Sequence, residues 1–207
     1  MTGATIASKL SGKIDPRFVA GTGTALAGLA LLMFSRLSVS DSPQAILRAA
    51  ANGGHLGSGV SYWADLFPFI VLMAVGMGLT FVPMTLAAVH RVDHRDSGVG
   101  SGVLNTAQQV GGALGLATLS TIAVHSIQDK AASLFASLPQ TGSAPDPGMV
   151  ASLKHVIGTQ AAYTEGATHA FLTGAFMMWL GSVIVWIFLD VKHEEMATDE
   201  APEGVVV

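Results

Sequence analysis

The chain has 207 residues, of which 50% are hydrophobic and only 12% are charged. Soluble domains carry about 25% charged residues, so this composition predicts an integral membrane protein. The net charge of -4 argues against a nucleic-acid partner. The absence of cysteine excludes disulfides, thiolate metal sites and a cysteine nucleophile. We expect no cofactor.

Apolar runs of membrane-spanning length predict four transmembrane helices and an all-α fold. A signal peptide is the alternative for the first run, but no cleavage site followed by a soluble domain appears after it. The predicted spans are residues 18–34, 66–89, 98–124 and 170–189. Long connections at 35–65 and 125–169 would lie outside the cytoplasm, and the acidic tail 190–207 is predicted to be disordered.

Residues 35–64 have the glycine, serine and proline content of a loop, with one short interfacial helix predicted at Pro43 to Ala51. Tyr62 and Trp63 then precede the second span, where amphipathic rings favour the headgroup level of a bilayer. Packing in a protein core is the alternative for this pair. Pro83 lies inside the second span and is expected to kink it.

Residues 90–97 form a dense charge cluster that must lie outside the bilayer. His90, Asp93, His94 and Asp96 have spacings compatible with a helical metal site. A solvated loop explains them better, since Arg91 and Arg95 would set the topology and Asp96 or Ser97 would cap the next helix. We therefore predict no metal site.

The third span is uncharged and contains patches of glycine and a cluster of amide side chains. Close packing against neighbouring helices is predicted for Gly98, Gly102, Gly111, Gly112 and Gly115. Asn105, Gln108 and Gln109 are three or four positions apart and so lie on one side of the helix. Two interpretations remain open for these amides: interhelical hydrogen bonds, or the polar wall of a substrate cavity.

After this span the chain is polar, with two weakly periodic stretches, Ser126 to Leu138 and Val150 to Tyr163. We expect two short helices at the membrane surface there. The last span follows, with Trp186 near its end as an interfacial anchor. In the first span, Gly21, Gly23 and Gly28 predict close packing on neighbours.

The distribution of cations predicts that both termini face the cytoplasm. Four crossings then place a mild excess of lysine and arginine inside. The cytoplasmic set is Lys9, Lys13, Arg17, Arg91, Arg95 and Lys192, against Arg36, Arg48, Lys130 and Lys154 outside.

The segment GVGSGVLNTAQQVGGALGLATLSTIA resembles the penultimate helix of the EmrB/QacA-type drug:proton antiporters, the fourteen-span branch of the major facilitator superfamily. Residues 8–17, SKLSGKIDPR, resemble a basic cytoplasmic loop of that family, with Ser8, Gly12 and Asp15 departing from its pattern. The run Gly76, Gly78 and Pro83 is similar to the family's next helix, and His169 to Phe171 to the start of its final one.

The resemblance implies that the chain is part of the C-terminal bundle of a major facilitator fold in the plasma membrane. It implies drug-like substrates, a cavity face at Asn105, Gln108 and Gln109, and partner helices that precede this chain. Because the spans contain no ionisable side chain in their interior, the proton-coupling residue is expected elsewhere. The chain alone should not transport.

Two alternatives stay open: a non-transporting four-helix scaffold that oligomerises through its glycine faces, and a transporter of the same superfamily with another substrate. An enzyme is not expected, because no catalytic grouping of side chains emerges.

Overall fold

A computed structural model describes residues 15–52, 55–57, 60–89, 96–138 and 146–189. The described residues form helices, turns and short irregular segments, without a strand. Six α-helices follow in order: α1 Pro16–Phe34, α2 Pro43–Asn52, α3 Phe67–Val89, α4 Ser97–Ser137, α5 Pro147–Val156 and α6 Ala162–Phe188. Among the described residues, the short π-helical segment Tyr62–Leu66 leads directly into α3. A second one, Ile157–Ala161, leads directly into α6.

Four of these helical stretches are long and apolar enough to cross a membrane: Pro16–Phe34, Tyr62–Leu86, Ser97–Ser137 and Pro147–Phe188. This confirms the predicted fold class. The short helix predicted at Pro43 to Ala51 is also present, as α2.

The first of the two surface helices predicted after the third span is not a separate element, because Ser126 to Leu138 is the end of α4, which runs for 41 residues. The second, predicted at Val150 to Tyr163, covers most of α5 and the second π-helical segment, which leads into α6. No glycine or proline stands between Val124 and Ser137, so nothing in the backbone ends the helix there.

The described residues fall into two compact units. The first unit takes its described residues from Met1–Leu31, Phe69–Leu114 and Ala175–Val207. Helix α1 is its most enclosed element, with Val19, Ala20, Ala27 and Ala30 at 3% exposure or less. It contacts the other helices through small residues.

Helix α1 packs against α3 on one face and against α6 on another. On one face Gly23 and Ala27 lie against Gly76 of α3, so closely that a Cβ at Gly76 would stand 2.7 Å from the Gly23 carbonyl oxygen. On the other face Gly21 and Gly28 lie under the indole rings of Trp186 and Trp179. The close packing predicted for the glycines of the first span is thus confirmed, because only a residue without a side chain fits these contacts.

The second unit takes its described residues from Leu32–Pro68 and Gly115–Gly174. A buried apolar cluster joins α2, the end of α4 and the α5–α6 region. Its members are Ile46, Ala49, Ala50, Leu56, Leu134, Leu153, Val156, Ile157 and Ala161. The connections expected to be polar loops therefore fold against one another.

The positions of three aromatic residues are predicted from the sequence. Tyr62 and Trp63 are 55% and 73% exposed, with ring centroids 5.5 Å apart, so the described residues do not bury this pair. Trp186 was expected only as an interfacial anchor, but its indole covers Gly21. Pro83 lies inside α3 and is fully buried.

Candidate transport surface on the third long helix

The amide cluster of α4 lies on a helix that the described residues leave almost bare. Asn105, Gln108 and Gln109 are all exposed. The hydrogen bonds of the described residues include none from these three side chains. The helices α1, α3 and α6 therefore do not supply the amides with partners.

The apolar side chains of α4 are equally uncovered. Val99, Val103, Leu114 and Leu116 are each at least 64% exposed, and Leu134, near the far end, is the buried residue of this helix. So much exposed apolar surface on several sides of one helix marks a helix that lipid or other protein covers. Such a surface is unfavourable in contact with water.

The small residues of α4 open a groove next to the amide face. Gly98, Gly102, Gly111, Gly112 and Gly115 have free space where a Cβ would stand, unlike Gly76. An open groove of about 610 Å³ is lined by Val99, Gly102, Val103, Thr106, Ala107 and Val110. At 100° per residue, this groove and the side bearing Asn105 and Gln108 are different faces of one helix.

The outcome for the other predicted positions is mixed. Gly76 packs against α1 as described above, and Gly78 is half-buried. Arg17 lies at the start of α1, 3.7 Å from the Asp15 carboxylate, with its guanidinium 4.7 Å from the centre of the Phe18 ring. Lys9, Lys13, Arg91 and Arg95 lie outside the described residues, as do His90, Asp93, His94 and the acidic tail. Within the part that the structure describes, no three histidine or acidic side chains come together as a metal site.

A polar network in the second unit is not predicted from the sequence, where Lys130 serves only to assign the topology. The Lys130 ammonium lies 2.6 Å from the Asp41 carboxylate and 3.7 Å from the Glu165 carboxylate. His169 lies 3.6 Å from Glu165 and shares a 2.7 Å hydrogen bond with the Ser126 hydroxyl. The spacing of four between Ser126 and Lys130, and between Glu165 and His169, places each pair on one face of its helix, which is the signal that the sequence offers.

The charges of this network stabilise one another. The hydrogen bond from Lys130 holds the pKa of Asp41 below its ordinary value, against a smaller opposing effect of desolvation. The same bond raises the pKa of Lys130, and the nearby Glu165 carboxylate adds to this effect. Both groups lie outside the spans predicted from the sequence. Both stay ionised at neutral pH, because each pKa is moved further from neutrality.

Comparison with known proteins shows that the chain is similar in sequence to drug resistance and drug export proteins. It is 32% identical over 203 residues to a puromycin resistance protein of Streptomyces alboniger, which covers 97% of this chain and 33% of the relative. It is 30% identical over 107 residues to a multidrug resistance protein B homologue of Mycobacterium tuberculosis, covering 50% of this chain and 19% of the relative. A cephamycin export protein of Amycolatopsis lactamdurans matches over 62 residues at 37% identity, covering 30% of this chain and 13% of the relative.

The chain thus spans about a third of the length of the puromycin resistance protein and less of the other two. No protein-family profile matches it.

Proposed function

Because this chain is homologous to part of the drug-efflux transporters of the major facilitator type, we propose that it forms the last four membrane helices of such an exporter. The intact protein would export small, mostly apolar compounds from the cell in exchange for protons, through the plasma membrane. It would hold both ends of this chain in the cytoplasm. The lipid bilayer and the preceding helices of the transporter are its partners.

The observation that carries this proposal is the bare surface of α4. Three amides and a groove lined by small residues lie on adjacent faces of an apolar helix. Amides in a hydrocarbon environment need partners or water. In a transporter of two helix bundles the substrate is held between them near the midplane, where such a polar face is needed.

The division of α4 into two faces supports separate roles for its residues. We assign Asn105, Gln108 and Gln109 to the substrate cavity, and the groove at Gly102 to packing against a helix of the preceding part. Gln109, seven residues after Gly102, lies at the boundary between the two faces. The side chains that would couple transport to protons belong to the preceding part as well, because the predicted spans lack ionisable side chains in their interior.

A chimera tests the proposal directly. The segment of the puromycin resistance protein that aligns with this chain is replaced by residues 1–207, and puromycin resistance is measured in a sensitive host. We expect resistance well above that of the host, and we expect the 207-residue chain alone to give none. A chimera that reaches the membrane in normal amount but confers no resistance would contradict the proposal.

A scaffold that self-associates is the second candidate, favoured by the same groove at Gly102. Crosslinking of the 207-residue chain in membranes distinguishes the two. A defined dimer that Gly102→Leu abolishes, together with an inactive chimera, would favour the scaffold.

A further inference from the structure

Three segments of the second unit meet twice, once through charges and once through apolar side chains. The segments are residues 35–52 with Leu56, the end of α4, and the region from α5 to the start of α6. Asp41, Lys130 and Glu165 supply the charges. Each charged residue is followed or preceded within five positions by a member of the apolar cluster: Ile46, Leu134 and Ala161.

The charged contact is the more exposed of the two. The side chains of Asp41 and Glu165 are 47% and 38% exposed, and that of Lys130 is 24% exposed. Ion pairs at this exposure are weakened by salt, because mobile ions screen them. The strength of these ion pairs therefore depends on the salt concentration.

The apolar contact is enclosed. Ile46 and Ile157 have no exposed surface, and Val156 is 3% exposed. The backbone N–H of Leu56 donates a 2.7 Å hydrogen bond to the Gln160 side chain at the same place. Salt does not weaken apolar burial by screening, so this contact persists where the ion pairs fail.

A cavity of about 470 Å³ lies between the two strips of chain that the charges hold together. Residues 35–39 and Asp41 line one side, and Ala161, Thr164, Glu165, Thr168, His169 and Leu172 line the other. The Lys130 ammonium links Asp41 on the first side to Glu165 on the second.

We propose that Lys130 is a latch and the apolar cluster a hinge, so that release of Lys130 opens this cavity while α2 stays packed against α5. The latch closes when the Lys130 ammonium bridges both carboxylates. It opens when one of these contacts is lost. Residues 35–38 and the Asp41 side chain then move away from the start of α6, while Val39 stays packed on the apolar cluster and the Ser40 N–H keeps its 2.8 Å bond to the Gly57 carbonyl oxygen. Local openings of this kind follow the weakest contacts of a fold. The inference concerns the chain itself and does not depend on transport.

The absence of native cysteine makes the test direct. Spin labels are attached in the 207-residue chain in nanodiscs at Ser38→Cys and Tyr163→Cys, two exposed positions beside the cavity. A second pair, Ala51→Cys and Ala151→Cys, reports on the hinge between α2 and α5. Distance distributions are measured by pulsed electron paramagnetic resonance, with and without Lys130→Gln, at low and high salt.

We expect Lys130→Gln to lengthen and broaden the Ser38–Tyr163 distance by several ångströms and to leave the Ala51–Ala151 distance unchanged. High salt should lengthen the Ser38–Tyr163 distance in the chain that retains Lys130, and it should have little effect on this distance in Lys130→Gln. Lys130→Arg should stay closed, because it keeps the charge. Lys154→Gln is the matched control, since Lys154 is an exposed lysine of α5 outside the network.

Two results would overturn the inference. One is a Ser38–Tyr163 distance that Lys130→Gln does not alter. The other is a parallel change of both distances, which would show that the region unfolds as a whole rather than opening at a latch.

Discussion

The Ser182 hydroxyl of α6 donates a 2.7 Å hydrogen bond to the Gly21 carbonyl oxygen of α1, and both residues are buried. This bond ties the first and last long helices together within the first unit. Trp179 adds a second link one turn away, since its indole N–H donates to the Ala25 carbonyl oxygen at 3.3 Å. The glycines of α1 allow the two backbones to approach closely enough for both bonds.

Removal of the Ser182 hydroxyl should weaken the contact between α1 and α6. Polar bonds between membrane helices contribute about 0.6 kcal/mol on average and up to about 1.7 kcal/mol. We expect Ser182→Ala to lower the free energy of unfolding by an amount in this range, measured by denaturation in mixed micelles. Thr121→Ala is the control, because the exposed Thr121 hydroxyl bonds only to the Ala117 carbonyl of its own helix. Equal losses in both variants would contradict an interhelical role for Ser182.

The contact between α1 and α3 should not tolerate a side chain at Gly76. A Cβ there would stand 2.7 Å from both the Ala27 nitrogen and the Gly23 oxygen, and backbone atoms cannot move aside like a flexible side chain. We expect Gly76→Ala to cost about 1–3 kcal/mol, the usual range for overpacking. Thermal unfolding in detergent, followed by size-exclusion chromatography, measures the effect. Gly115→Ala is the matched control, with open space at its Cβ, and should leave the midpoint nearly unchanged.

The pH dependence of the latch follows from its two pKa shifts. Since the pKa of Asp41 is lowered, its contribution is complete above the ordinary carboxylate value of about 4 and is lost as pH falls through the lowered value. Since the pKa of Lys130 is raised, its contribution is complete below the ordinary value of 10.5 and is lost as pH rises through the raised value. The Ser38–Tyr163 distance should therefore stay short across the neutral range and lengthen at both extremes.

The charged groups around Lys130 indicate which variant serves as a control for this pH response. Glu165 faces Lys130 from α6 and also lies 3.6 Å from His169, and Arg36 lines the cavity from the opposite side. Asp41→Asn should give the long Ser38–Tyr163 distance already at neutral pH and remove the response at acid pH, because the latch closes only when Lys130 bridges both carboxylates. An acid response that is identical in Asp41→Asn and in the unmodified chain would contradict the assignment to Asp41.

The assignment of α4 faces predicts different solvent access at two neighbouring positions. Asn105 and Val103 are two residues apart and so lie on nearly opposite sides of the helix. In the chimera described above, Asn105→Cys should react with a membrane-impermeant maleimide much faster than Val103→Cys. Similar rates at both positions would contradict a water-accessible amide face, whereas the chimera's activity tests the wider proposal separately.

The sequence could predict which stretches become membrane helices but not how α4 relates to its neighbours. Its glycines predict close packing against neighbouring helices, and its amides are compatible with interhelical hydrogen bonds or with a cavity wall. In the structure α1 has the central position of its unit, and most of α4 is bare. Small residues indicate that a close contact is possible, but the identity of the partner depends on which helices are present.

Composition and the apolar runs by themselves determined the all-α membrane class and the four long helices, because a span needs only enough consecutive apolar residues. Tertiary structure decided the pairing of Gly21 with Trp186 and of Lys130 with Asp41 and Glu165. These contacts join residues far apart in the chain, and one residue pattern is compatible with many such pairings. The same reason explains how two connections that look like polar loops fold around Ile46 and Ile157, since only their packing against each other excludes water from those side chains.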